Sequence, residues 1–173
     1  MERGNRIELS ALAWKAKVLP LYEPRINNFM YITYLDFPNI PEDLLESVED
    51  ILNKPRYESI VQQDYFQTRL INENLEDWLK NNLPCKFMAR YQIIYPGLPI
   101  HKDMRNRKLA YNYLLALGGN SVKTIIFDDN KKLLQSETLP LRTWHSIKTD
   151  MYHVVFGIHK DTPRISLSLT PEQ

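Results

Sequence analysis

The residues with the clearest capacity for chemistry are His101 and Asp103, which are separated by one position. In an extended strand, side chains alternate between the two faces, so His101 and Asp103 point the same way and converge on a single ion. His153 lies in a later apolar segment that is typical of a strand, and it is placed to add a third ligand. Two imidazoles and one carboxylate occupy one face of an octahedral metal ion and leave the opposite face open. The sequence therefore predicts a metal site at His101, Asp103 and His153.

A second pair of polar residues follows the third ligand. Arg164 and Ser166 come shortly after His153, at the start of another apolar strand pattern, and the alternation of a strand puts both on one face. A guanidinium has a planar fork of N–H donors that matches a carboxylate, and a hydroxyl adds one more donor. We expect this pair to bind a carboxylate in the cavity that holds the metal.

Two further histidines, His145 and His159, flank His153. His145 follows Trp144, and we expect a packed, hydrogen-bonded histidine there, with a role close to the metal or the substrate as the alternative. His159 lies five residues before Arg164, too close for a strand, a turn and a return. His153 therefore remains the predicted distal ligand.

Together these residues resemble the signature of the 2-oxoglutarate and Fe(II) dependent dioxygenase superfamily. That signature is His-x-Asp, then a distal histidine, then Arg-x-Ser on the next strand. The resemblance covers residues 87–169. Tyr95-Pro96-Gly97 and Tyr111-Asn112-Tyr113-Leu114 look like the corresponding segments of the prolyl and aspartyl/asparaginyl hydroxylases. The first 86 residues match no motif of the family.

The resemblance implies a fold, a chemistry and a set of ligands. The fold would be a double-stranded β-helix (jelly roll, cupin-like), with the metal inside its open end. The cofactor would be Fe(II), the cosubstrates 2-oxoglutarate and O2, and the products succinate, CO2 and a hydroxylated substrate. Arg164 and Ser166 would bind the far carboxylate of 2-oxoglutarate. A tyrosine would assist them, with Tyr91, Tyr95 and Tyr113 as the candidates.

Hydrophobic periodicity indicates which elements hold these residues. Apolar residues at helical spacing predict helices over 41–52 and 74–83, the second ended by Pro84. Short aromatic or β-branched segments separated by turn residues predict strands over 30–35, 87–95, 110–117, 122–127, 152–158 and 164–169. We expect a mainly β protein of one domain over 1–173, with helical support and the first strands in 1–86 and the β core in 87–170.

Composition excludes several classes of function. A net charge of +1 makes a nucleic-acid partner improbable, and the basic run Arg105-Asn106-Arg107-Lys108 is expected to be a solvated turn or an anion-docking patch. The positions of the five glycines fit neither a dinucleotide-binding nor a P-loop motif. The single cysteine, Cys85, is typical of a reducing cytoplasm. The sequence also contains neither a signal-peptide pattern nor a membrane-spanning apolar stretch, so we expect a cytoplasmic protein.

Two other functions remain open at this level. A cupin-type metal-dependent isomerase or hydrolase would use a similar barrel without 2-oxoglutarate, and would not need Arg164 and Ser166. A β-sandwich binding module without catalysis would be expected to lack one of the metal ligands. The substrate is predicted only as a small molecule or a peptide, and family analogy favours a peptidyl or free amino-acid side chain.

Overall fold

The computed structural model describes residues 30–58, 64–68, 71–103 and 107–171, so Arg105 and Asn106 of the basic run, and the first 29 residues, lie outside the described parts. Within those parts the chain forms ten strands and two α-helices. The strands are β1 (Ile32–Tyr34), β2 (Arg56–Glu58), β3 (Tyr65–Thr68), β4 (Phe87–Ile94), β5 (Leu109–Ala116), β6 (Lys123–Phe127), β7 (Leu133–Glu137), β8 (Trp144–Lys148), β9 (Tyr152–Phe156) and β10 (Arg164–Pro171).

The strands form two antiparallel sheets. The larger sheet has seven strands in the order β1-β8-β5-β10-β4-β3-β2, and the smaller sheet has three in the order β7-β6-β9. His101 extends the smaller sheet through a single antiparallel bridge to His153. From β4 to β10 the chain passes back and forth between the sheets, with β4, β5, β8 and β10 in the larger one and His101, β6, β7 and β9 in the smaller one. This winding is that of a double-stranded β-helix, so the predicted fold class is confirmed.

Two helices pack on the outer face of the larger sheet. Helix α1 (Val48–Asn53) begins at Ser47, whose hydroxyl accepts a hydrogen bond from the amide of Asp50 at 3.1 Å. Helix α2 (Glu73–Asn82) begins at Asn72 and agrees with its prediction to within one residue. The predicted helix over 41–52 is wrong in its first half. A 3-10 turn (Glu42–Leu44) ends at the extended Leu45, and the serine cap starts a new helix after it.

The larger sheet separates two clusters of buried hydrophobic residues. One cluster lies between its outer face and the helices, with Leu75 and Leu79 of α2 packed near Tyr91 and Leu167. The other lies between the two sheets and includes Leu114, Ile126, Leu139 and Ile147. Among the described residues, the helices therefore cover the outer face of the larger sheet. The inner face of the larger sheet faces the smaller sheet, and the residues that line the cavity described below lie between the two.

All six predicted strands exist, each within about two residues of its expected ends. Four strands were not predicted, namely β2, β3, β7 and β8. β2 and β7 are largely exposed and carry polar residues, so neither shows the hydrophobic pattern of a strand. In the described parts of the chain, no helix is both long and apolar enough to cross a membrane.

Candidate active site

His101, Asp103 and His153 form a group that could hold a metal ion. The backbone brings them together. The amide of His101 donates to the carbonyl of His153 at 3.1 Å, and the reverse bond is 2.8 Å. The amide of Asp103 donates to the carbonyl of Thr149 at 2.9 Å, which fixes the aspartate beside the turn before β9. The three side chains are partly buried, with the histidine rings 4.3 Å apart between centroids.

Both histidines present the same nitrogen to the aspartate. Nδ1 of His101 lies 2.9 Å from the carbonyl oxygen of Pro99, and Nδ1 of His153 lies 2.9 Å from that of Met151. A proton on each Nδ1 leaves the Nε2 lone pair free, the form in which imidazole binds metals. These Nε2 atoms lie 3.6 Å (His101) and 3.7 Å (His153) from Oδ1 of Asp103.

The donor set fits a divalent transition metal. Two metal–ligand bonds of about 2.0–2.2 Å each span at most about 4.4 Å, so one ion can join Oδ1 of Asp103 to either histidine nitrogen, and all three donor atoms lie within 4.8 Å of one another. Burial, together with the nearby His101, lowers the pKa of His153, which keeps its imidazole neutral. Two imidazoles and one carboxylate grouped on one side of an ion are the ligand set of non-haem Fe(II) sites.

The other oxygen of Asp103 faces an arginine. Oδ2 lies 3.3 Å from Nη1 of Arg107, and Nη2 of Arg107 donates to the hydroxyl of Ser168 at 3.1 Å. The hydroxyl of Thr149 donates to the backbone carbonyl of Arg107 at 2.8 Å. Of the basic run, Arg107 is therefore engaged beside the metal group and does not lie on a solvated turn.

The metal group lies at one side of a cavity between the two sheets that opens to solvent. Arg164 and Ser166 of β10 also line this cavity, as the alternation of a strand predicted. Gly118 allows the backbone at Arg164 to pack closely against it, which helps to place Arg164 and Ser166 at the cavity. Its φ is +80°, and a Cβ there would lie 2.7 Å from the backbone nitrogen of Arg164. The structure thus brings the predicted metal and carboxylate ligands to one cavity.

Arg164 is a buried cation, with only 3% of its surface exposed. Burial alone lowers its pKa, to about 10, so the guanidinium stays charged at neutral pH. Among the described residues, no carboxylate forms a salt bridge with it. A buried charge without a counter-ion is costly, and an anionic ligand in the cavity would remove that cost.

The predicted tyrosines are not brought to the cavity. Tyr113 points to the outer face of the sheet, where its ring lies 4.9 Å from that of Trp144, and the hydroxyl of Tyr91 donates to Glu46. Tyr95 packs edge-on against Phe66. Tyr91 of β4 and Tyr113 of β5 both pair with Leu167 of β10 and lie on the outer face, whereas Asn112, next to Tyr113, lines the cavity.

A different tyrosine lines the cavity. Tyr65 of β3 lies across from Ile94 in the sheet, and its hydroxyl accepts a hydrogen bond from Gln67. Burial raises its pKa, so it remains a neutral phenol. No local signal in the sequence indicates this role, because it depends on the pairing of β3 with β4.

His145 is also a cavity residue, and one of its ring nitrogens has no partner among the described residues. The residue is 1% exposed, and the nitrogen without a hydrogen bond is the buried Nε2. Asn112 Oδ1, on the neighbouring strand, and Thr124 Oγ1, on the facing sheet, are likewise without partners. Burial, with the charge of Arg164, lowers the pKa of His145 to about 4. The expectation of a hydrogen-bonded histidine therefore holds for Nδ1, which lies 3.3 Å from the carbonyl oxygen of Thr143, and is wrong for Nε2 among the described residues.

His159 lies outside the cavity. It sits in the turn between β9 and β10, bridged to Thr162, with 62% of its side chain exposed. Its amide donates to the carbonyl of Gly118 at 2.6 Å. The chain reverses here, as expected, and so carries this histidine away from the metal group.

Comparison with known proteins finds a structural likeness and no sequence match. No protein-family model matches the chain, and no curated protein matches its sequence. Among solved structures, the chain is similar to an oxidoreductase of the 2OG-Fe(II) oxygenase family from Burkholderia pseudomallei. The TM-score is 0.48 at 10% identity, over 71% of this chain and 74% of that one. A likeness of this size identifies neither an activity nor a functional residue of this chain.

Proposed function

We propose that this protein is a 2-oxoglutarate and Fe(II) dependent dioxygenase that hydroxylates an unactivated C–H bond. The observation that carries the proposal is the presence of two complementary sites in one cavity. One is a group of two histidines and one carboxylate, and the other is a buried arginine without a carboxylate partner among the described residues. A metal-dependent isomerase or hydrolase has no use for the second site.

His101, Asp103 and His153 would hold the iron. The carbonyls of Pro99 and Met151 fix both rings with Nε2 toward Asp103, so these ligands are oriented before the metal arrives. Bound Fe(II) would supply the oxidising chemistry with which O2 and 2-oxoglutarate are converted to succinate, CO2 and a hydroxylated product. The walls of the cavity would exclude bulk water from that reaction.

Arg164 would bind the far carboxylate of 2-oxoglutarate. Its fork of N–H groups makes two charge-assisted hydrogen bonds to a carboxylate, and Ser166, two residues along the same face, would donate a third. Since Arg164 is held in the wall of the cavity before the ligand binds, little conformational freedom is lost on binding. The phenol of Tyr65 would take the assisting role that the resemblance predicted for Tyr91, Tyr95 or Tyr113.

The substrate would enter through the mouth of the cavity. The proposed class is an amino-acid side chain, free or in a peptide, and it follows from the resemblance of residues 87–169 to the prolyl and aspartyl/asparaginyl hydroxylases. The fold itself selects no substrate. O2 and this substrate would be the reaction partners.

Calorimetric titration of 2-oxoglutarate into protein loaded with Mn²⁺ in the absence of O2 tests the proposal. We expect binding that requires the metal and is weakened by the Arg164→Met substitution, which removes the charged fork. Succinate, which lacks the 2-oxo group, should bind much more weakly than 2-oxoglutarate. Binding that is equally strong without metal, or equally strong in Arg164→Met, would contradict the proposal.

A further inference from the structure

Arg107 is tied to the metal group by several contacts on different atoms. Its Nη1 lies 3.3 Å from Oδ2 of Asp103, and its Nη2 donates to the hydroxyl of Ser168 at 3.1 Å. Its backbone carbonyl accepts a 2.8 Å hydrogen bond from the hydroxyl of Thr149. The backbone carbonyl of Thr149 in turn accepts a hydrogen bond from the amide of Asp103. The side chain is 17% exposed. Arg107 and Asp103 are thus held together by side chains and by backbone.

The two oxygens of Asp103 have different neighbours. Oδ1 faces Nε2 of His101 and of His153, at 3.6 and 3.7 Å, so it is the oxygen that completes the metal group. Oδ2 faces the guanidinium of Arg107. The carboxylate cannot turn Oδ2 toward a metal ion without giving up this ion pair, which is partly buried and so weakly screened by solvent.

We propose that Arg107 is a positioning residue that restricts Asp103 to binding a metal ion through Oδ1 alone. An octahedral ion held by three protein donors keeps three positions free. A second donor atom from Asp103 would take one of them. The part of the inference that concerns 2-oxoglutarate rests on the proposed function, because a 2-oxo acid chelates through two positions. The part that concerns Asp103 does not.

The proposal separates two affinities that a merely structural residue would change together. In Arg107→Met the stem is kept and the charge is removed, so Oδ2 is free to become a second donor. We expect Mn²⁺ to bind as tightly as in the wild type, or more tightly. We expect 2-oxoglutarate to bind at least about 10-fold more weakly, because a bidentate Asp103 leaves only two positions on the ion, and the 2-oxo acid can chelate there only if both are adjacent and face Arg164.

The number of waters on the metal provides a direct readout without 2-oxoglutarate. Water-proton relaxation by protein-bound Mn²⁺ scales with the number of coordinated waters. We expect it to fall by about one third in Arg107→Met, from about three waters to two. Arg107→Lys keeps the positive charge but not the planar fork of N–H groups, so its water-proton relaxation should lie between those of the wild type and Arg107→Met. Ser168→Ala keeps Arg107 and removes the hydroxyl to which its Nη2 donates. We expect a smaller decrease in water-proton relaxation than in Arg107→Met. Because the change is small, this variant should fold like the wild type.

Arg142→Met is the matched control, because it removes a guanidinium that pairs with Glu42 at the exposed surface. It should leave both the relaxation and the two affinities at wild-type values. Unchanged relaxation in Arg107→Met would overturn the proposal, and so would a parallel loss of Mn²⁺ affinity. A lower relaxation in a protein that never binds 2-oxoglutarate would uphold the role of Arg107 and reject the proposed function.

Discussion

Nε2 of His153 lies 3.7 Å from Oδ1 of Asp103, although the two residues are far apart in the chain. The pair forms because the segment that carries His101 and Asp103 runs beside β9, with paired hydrogen bonds between His101 and His153. The metal group is therefore a consequence of the antiparallel winding and not of a local motif. Each prediction below depends on this pairing.

Asp103→Ala should abolish metal binding and turnover while leaving the fold intact. Asp103 is the only carboxylate in the group, and without it two neutral imidazoles bind a divalent ion weakly. Metal content, measured by elemental analysis beside a thermal melt, checks this. Asp129→Ala, which removes an exposed carboxylate paired with Lys102, should keep full metal content. If Asp103→Ala retains iron and activity, the ligand assignment is wrong.

Among alanine variants of the histidines after position 101, only His153→Ala should lose the metal. Its Nε2 faces Asp103, whereas His159 is exposed on a turn and His145 does not belong to the group. Iron content of the three purified variants, measured side by side, provides the comparison. Loss of iron in His145→Ala with retention in His153→Ala would mean that the distal ligand has been misplaced.

Arg164→Lys should weaken 2-oxoglutarate far more than metal. A lysine ammonium keeps the charge and loses the second of two parallel N–H bonds, which is worth about 1.5–3 kcal/mol, or about 10- to 150-fold in Kd. Titrations of Mn²⁺ and of 2-oxoglutarate into each variant measure the two effects separately. Equal weakening of both ligands would indicate a folding defect in place of a lost contact.

His145 should make the metal-free protein less stable in acid. Burial and the charge of Arg164 lower its pKa to about 4 from its ordinary value of 6.5. Between those values the unfolded chain takes up a proton that the folded chain does not. This contribution to stability is therefore complete above about pH 6.5 and is lost as the pH falls toward 4, approaching about 3 kcal/mol.

Urea unfolding of the metal-free protein at pH 7.5 and pH 4.5 measures this loss. The wild type should lose about 2–3 kcal/mol more on acidification than His145→Gln, because glutamine does not titrate. His159→Gln, which alters an exposed histidine, should behave like the wild type. Identical pH dependence in His145→Gln and the wild type would contradict a neutral, buried His145.

Local alternation predicts the parts of the site that lie within single extended segments. His101 with Asp103, and Arg164 with Ser166, are each two residues apart, and the period of a strand is enough to place each pair in one cavity. Tyr113 was a candidate through the resemblance and not through alternation, and it lies on the outer face because the inward face of β5 belongs to Asn112. Parity gives two faces and does not say which one faces inward.

Contacts between strands could not be predicted in this way. Tyr65 reaches the cavity through the register of β3 against β4, and Arg107 reaches Asp103 through hydrogen bonds that both make to Thr149. Such pairings depend on tertiary packing, which a single sequence does not encode in its periodicity. The break in the first predicted helix has a local cause, since Ser47 starts a helix of its own.

Release of succinate from 2-oxoglutarate tests the central claim most directly, because uncoupled turnover needs no known substrate. The protein is incubated with Fe²⁺, ascorbate, O2 and 2-oxoglutarate, and succinate is measured by mass spectrometry. We expect succinate from the wild type and from Asp129→Ala, and none from Asp103→Ala or after removal of iron. No succinate from wild-type protein that has bound both Fe²⁺ and 2-oxoglutarate, or equal succinate from Asp103→Ala, would contradict the account.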